Sequence, residues 1–131
     1  MNKRPEILSP AGNFEKMKAA ILYGADAVYL AGHAFGMRAA ADNFSIDELR
    51  EAVEYAHARG VRVYLTLNTM PREHEYPLLK KYLEDISDIA LDAMIIADVG
   101  VLMLVKEMRP DIEIHISTQA NASSSPACLA W

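Results

Sequence analysis

Apolar residues recur at every second position in some stretches of this chain and at helical spacing in the stretches between. Val61, Val63, Leu65 and Leu67 alternate with Arg62, Tyr64, Thr66 and Asn68, a two-residue period that predicts a strand with one apolar and one polar face. Ile112, Ile114 and Ile116 alternate in the same way with Glu113, His115 and Ser117. Shorter apolar runs at residues 6–10, 25–31 and 93–97 predict three further strands. Helices are expected over 14–23, 45–59, 76–90 and 101–108. Asn13 is a good N-cap for the first and Gly24 a good stop. Ser45 with Glu48 makes a capping box for the second, which ends at Gly60. Leu79, Tyr82, Leu83 and Ile86 form one stripe of the third, and Pro110 closes off the fourth.

Strict alternation of strand and helix argues for a parallel sheet with right-handed crossovers. A doubly wound open sheet and part of an eight-stranded barrel both satisfy it. An open sheet buries both faces under helices and calls for apolar strands throughout. The polar faces of the third and fifth strands suit a barrel interior instead. The echo between Ala25-Asp-Ala-Val-Tyr-Leu30 and Leu91-Asp-Ala-Met-Ile-Ile96 points the same way, and Gly12 stands alone in its turn with no glycine-rich dinucleotide fingerprint around it. The expected fold is therefore α/β, an incomplete (β/α) TIM-type barrel with five parallel strands alternating with four helices. Such a piece leaves its first and last strands unpaired, so pairing with the remainder of a barrel or self-association is expected.

At 131 residues, 52% of them hydrophobic, the chain is expected to be one domain with a real core. No apolar run is long enough to span a membrane, and the single Cys128 supports neither a disulfide nor a thiolate metal cage, so a cytoplasmic setting is the default. A net charge of −5 provides no electrostatic footprint for nucleic acid. Any RNA contact would need basic surface from outside the chain.

Asn68, Asp98, Gln119 and Asn121 each fall at or just past the carboxyl end of a strand, positions that converge on one mouth in a barrel. Amides orient polar substrates, and Asp98 is a candidate base or cation partner. These four are the catalytic candidates. Arg38, in the long connection after the second strand, is the substrate-binding candidate, with a guanidinium suited to carboxylate or phosphate. Each also has a plain structural role open to it, as a cap or a surface residue. His115 reads first as a packed interior histidine. His33, His57 and His74 have no partner at metal-ligand spacing, so no metal site is expected. Period-two placement also puts Arg62 inward at the barrel floor, in a buried cluster with Glu113 and Glu6, and Tyr64 and His115 in the layer above.

Several separated motifs add a family resemblance. Glu6-Ile-Leu-Ser-Pro-Ala-Gly12, Tyr23-Gly-Ala-Asp-Ala-Val-Tyr-Leu30, Phe35-Gly-Met-Arg38, Tyr55-Ala-His-Ala-Arg-Gly60, Leu67-Asn-Thr69 and Ser117-Thr-Gln-Ala-Asn121 occur in order. Together they resemble the N-terminal portion of the collagenase-like bacterial peptidases, peptidase family U32. The resemblance implies a barrel with its site at the carboxyl ends of the strands. It also implies either peptidase chemistry or hydroxylation of transfer or ribosomal RNA, with RNA or peptide as substrate. In the hydroxylating members it implies an iron–sulfur cluster whose cysteine ligands lie downstream of this region. Residues 122–131 depart from the family pattern and are expected to form a divergent, disordered tail after a barrel domain over 1–121. By itself the chain is expected to be inactive. An unrelated barrel enzyme for a phosphorylated metabolite, or a non-catalytic fragment that folds with a partner, are the other readings.

Overall fold

Alternate side chains of the central strands go to opposite faces of one sheet, and the two faces are chemically different. In the computed structural model, which describes residues 4–36 and 43–131, the strands are β1 (Leu8–Pro10), β2 (Ala27–Ala31), β3 (Arg62–Leu67), β4 (Ala93–Ile96) and β5 (Glu113–Ile116). They pair in sequence order, each neighbour parallel to the last. Helices α1 (Phe14–Leu22), α2 (Ile46–His57), α3 (Tyr76–Asp85) and α4 (Val99–Met108) form the crossovers. The architecture is the α/β, partial-barrel arrangement that the alternation predicts.

One face is the core. Val28 and Leu30, Val63, Leu65 and Leu67, and Met94 and Ile96 pack against Met17, Leu49, Leu79, Leu83 and Val105 from the helices. Every one of these side chains is almost fully buried. The other face carries Ala27, Tyr29, Tyr64, Ala93 and Ile95, a separate and smaller apolar cluster. Polar side chains of β3 and β5 surround it.

Local chemistry sets the helix ends. Asn13 accepts a hydrogen bond from the Lys16 amide (2.8 Å) to start α1, and Ser45 and Glu48 form the reciprocal capping box of α2. Gly24 (φ 97°) and Gly60 (φ 70°) follow these helices in the left-handed region that glycine reaches without strain. α3 stops at Asp85, short of residue 90, and in the turn that follows the Arg109 guanidinium donates to the carbonyls of Ile86 and Ile89 (3.3 Å each). Past the expected end of the barrel domain, Ser125–Ala130 forms a fifth helix, α5, where a tail was expected. Ser124 caps it and Pro126 sits in its first turn, so the run of serines before the proline acts as a helix start.

The repeated Asp-Ala motif does the same work twice. The Asp26 amide donates to the Ile7 carbonyl (2.9 Å) while its carboxylate accepts from the Ile7 amide (2.8 Å). The Asp92 amide donates to the Val63 carbonyl (3.0 Å) while its carboxylate accepts from the Val63 amide (2.7 Å). Each aspartate thus clasps the strand before its own. α3 is also held at two points by close approach to glycine. A Cβ on Gly32 would lie 2.0 Å from the Tyr82 hydroxyl, and one on Gly100 would lie 2.0 Å from the Tyr76 hydroxyl.

Among the described residues β1 and β5 are the two edges of the sheet, and Ile7, Leu8 and Ile116 are exposed beside them (49%, 42% and 39%). Parallel edges with apolar neighbours invite further pairing. Light scattering of the purified chain is expected to give a mass that rises with concentration through the micromolar range. A monodisperse monomer throughout would contradict this.

Candidate functional site

Strand register places the polar residues of β3 and β5 in successive tiers. At the bottom, Arg62 donates to Glu6 (3.3 Å) and to Glu113 (2.9 Å), and the Tyr64 hydroxyl donates to Glu6 (2.5 Å). His115 meets Glu113 through Nε2 (2.7 Å) and packs edge-on against the Tyr64 ring, with centroids 4.6 Å apart. The cluster joins the residues that the two-residue period selects, but it is not buried. The side chains of Arg62, Glu6 and Glu113 are 42%, 36% and 54% exposed, because the floor of the five-stranded sheet is open to solvent. Water therefore shares the charge, and loss of Arg62 is expected to cost nearer about 1 kcal/mol than the several expected of a buried pair.

Electrostatics in this cluster have a clear direction. The bonds from His115 and Arg62 hold the Glu113 carboxyl below the usual carboxylate range. Burial, reinforced by the bond to Glu6, pushes the Tyr64 phenol well above its ordinary value. A lowered carboxyl stabilises the fold where it is ionised, above its unfolded pKa, and that contribution disappears as pH falls through the lower folded value. Urea midpoints of the parent chain and Glu113→Gln should therefore differ at neutral pH and converge on acidification below the ordinary carboxylate range. A gap that stays constant to acid pH would contradict the assignment.

Above the floor the sheet opens into a cleft of ≈ 620 Å³. Leu8, Pro10, Tyr29 and Ile95 make its apolar walls, Thr66 and His115 its middle, and Asn68, Ser117, Thr118 and Gln119 its mouth. At the mouth Asn68 Nδ2 donates to Gln119 Oε1 (3.3 Å), and the Ser117 hydroxyl donates to the same oxygen. Asn68 and Gln119 therefore meet as expected. Asp98 and Asn121 do not join them. Asp98 is the N-cap of α4, accepting from the Val101 amide (3.0 Å) and from the Tyr76 hydroxyl on α3 (2.9 Å), so it is tied to the helical layer. Burial and that bond push the Tyr76 phenol up to about 12. Asn121 is exposed and ends a single 3-10 turn in the left-handed conformation (φ 55°), a backbone role that asparagine tolerates better than most residues. Arg38 lies outside the described residues.

The sequence reading passed over Tyr29, Thr66 and Lys16 as site residues. The signal for the first two was the same alternation that marks Asn68, carried across to β2 and one step lower on β3. Lys16 reaches the cleft from the first turn of α1, where helix geometry directs it back over the β1 end.

An iron–sulfur cluster needs several thiolates. The chain has Cys128 alone, and among the described residues no three His, Cys, Asp or Glu side chains are grouped to hold a metal. These residues do not fit such a cluster. No helix among them is long and apolar enough to cross a membrane.

Comparison with known proteins places this geometry in context. Residues 12–131 match the family model described as Peptidase family U32. The chain is 39% identical over 131 residues to tRNA hydroxylation protein P1 of Bacillus subtilis (strain 168), covering 100% of this chain and 31% of that protein. It is 40% identical over 118 residues to the 23S rRNA 5-hydroxycytidine C2501 synthase of Escherichia coli (strain K12), covering 90% of this chain and 18% of that protein. The chain thus spans less than a third of the length of these curated relatives. A solved structure titled as a U32 peptidase superposes with a TM-score of 0.75 at 16% identity, over 97% of this chain and 54% of that one, which is a likeness of fold.

Proposed function

Because this chain belongs to peptidase family U32, we propose that it forms part of an enzyme that hydroxylates RNA, with the cleft over its sheet receiving the target nucleobase. The observation that carries this reading is identity of 39% along the entire chain to a protein named for tRNA hydroxylation. A second relative, 40% identical, is named for forming 5-hydroxycytidine in ribosomal RNA. The lining of the cleft supports the reading in kind. Tyr29, Pro10 and Ile95 offer flat or apolar surface for a ring, and Asn68 and Gln119 offer donors and acceptors of the sort that read a base edge. This chain's part is to bind and orient the base. With a net charge of −5, it leaves most of the grip on phosphates to surface outside itself.

Peptide hydrolysis is the second reading, supported by the family's description and by the fold of the solved peptidase. Deleting the gene that encodes this chain and digesting total RNA to nucleosides for mass spectrometry separates the two. The expected result is loss of a hydroxylated pyrimidine from transfer or ribosomal RNA, restored by complementation. Unchanged nucleosides together with loss of a peptide-cleaving activity would favour hydrolysis.

A further inference from the structure

The tier between floor and mouth holds an arrangement that goes beyond binding. His115 lines the cleft, with its side chain 31% exposed. Its Nε2 lies 2.7 Å from Glu113 Oε1, and the other oxygen of Glu113 accepts from Arg62 at 2.9 Å. A carboxylate bridged in this way only accepts, so Nε2 must be the donor. The proton then resides on Nε2, and Nδ1 is the ring nitrogen with a lone pair. Tyr64, edge-on to the ring, limits its rotation. Space-filling alone would not require the carboxylate, nor a guanidinium to fix that carboxylate in turn.

We infer that His115 is the proton acceptor of the cleft, held in its working tautomer by Glu113, with Arg62 as the residue that positions Glu113. A bound substrate with an N–H, O–H or activated C–H group loses its proton to Nδ1 and keeps the electron pair. The imidazolium formed is stabilised by the Glu113 carboxylate already bonded to Nε2. The charged or titratable groups around this pair are Arg62 and Tyr64 on β3, Glu6 ahead of β1, and Lys16 reaching the cleft from α1. Tyr29 and Ile95 face it from β2 and β4 without charge. The inference extends the RNA reading but does not need it, since any substrate that gives up a proton in this cleft meets the same nitrogen.

Nuclear magnetic resonance of the whole chain, labelled with nitrogen-15 at histidine, tests the dyad directly. At a pH where imidazole is neutral, His115 is expected as the Nε2–H tautomer with an unprotonated Nδ1. Glu113→Gln should convert it to a mixture of tautomers, and Arg62→Met should move it part of the way. An Nδ1–H tautomer in the parent chain, or no response to Glu113→Gln, overturns the inference. In gene-deleted cells complemented with variants, His115→Gln is expected to lower the hydroxylated nucleoside about a hundredfold at unchanged protein level. Full modification by that variant would also overturn it. Glu113→Gln, placed at the solvent-open floor, takes over this arm if His115→Gln does not accumulate as folded protein. If deletion of the gene leaves RNA unchanged, the RNA reading fails while the tautomer measurement still decides the dyad.

Discussion

Replacing Gly32 by alanine is expected to cost the fold about 3 kcal/mol, most of it recovered when Tyr82 is changed to phenylalanine in the same chain. A methyl group at Gly32 would meet the Tyr82 hydroxyl at 2.0 Å and its Cζ at 3.1 Å, well inside van der Waals contact for the oxygen. The ring has nowhere to retreat. Tyr82 is only 9% exposed and packs into the core beside Phe35, with ring centroids 6.1 Å apart. Its hydroxyl is buried without a hydrogen-bond partner among the described residues, and burial alone pushes the phenol up to about 12. Tyr82→Phe by itself is therefore expected to be neutral or mildly stabilising, because it removes an orphaned polar group. In the double variant only the carbon contact remains, which a shift of a few tenths of an ångström relieves. Urea denaturation of the four proteins should give a coupling of about 2 kcal/mol, and strictly additive effects would rule out the clash.

The two aspartate clasps should differ in strength although their geometry is alike. Asp92→Ala is expected to cost about 2–3 kcal/mol, and Asp26→Ala less than about 1. Both substitutions orphan the amide of a neighbouring strand. Val63 is fully buried, so its amide cannot turn to water, whereas Ile7 is 49% exposed and its amide can. Asp92 also holds His57 Nε2 at 2.8 Å, and that contact binds α2 to the start of β4. Asp26 instead holds Arg4, whose side chain is 71% exposed. Equal shifts in urea midpoint for the two variants would show that solvent access does not set the penalty.

What was legible in the sequence was what local chemistry decides. The alternation in β3 and β5 assigned faces correctly, so Asn68 and Gln119 were placed together at the mouth and Arg62, Glu6 and Glu113 together at the floor. Asn13, Ser45 and Gly60 announced helix ends because capping depends on side chains a few residues apart. Asp98 shows the limit of the same local chemistry. An aspartate after a strand looks alike whether it caps the next helix or faces a substrate, and only the Tyr76 hydroxyl, 22 residues away, distinguishes the two. Exposure of the floor was illegible because it depends on how far the sheet closes. His115 reads first as a packed histidine because Glu113, two residues away on the same face, looks in sequence like another polar strand position rather than its hydrogen-bond partner.

The two tyrosines seated against glycine have a mechanical consequence. Tyr76 and Tyr82 project from one helix as a pair of pegs, and their sockets are the backbone just after β2 at Gly32 and the first turn of α4 at Gly100. Those two sockets flank β3, whose end carries Asn68. α3 thus approaches both segments closely, each tyrosine hydroxyl lying 2.0 Å from where a Cβ on the facing glycine would be. One helix therefore spans the two segments that flank β3, so a side chain larger than hydrogen at Gly32 or Gly100 would meet α3 before it met the cleft.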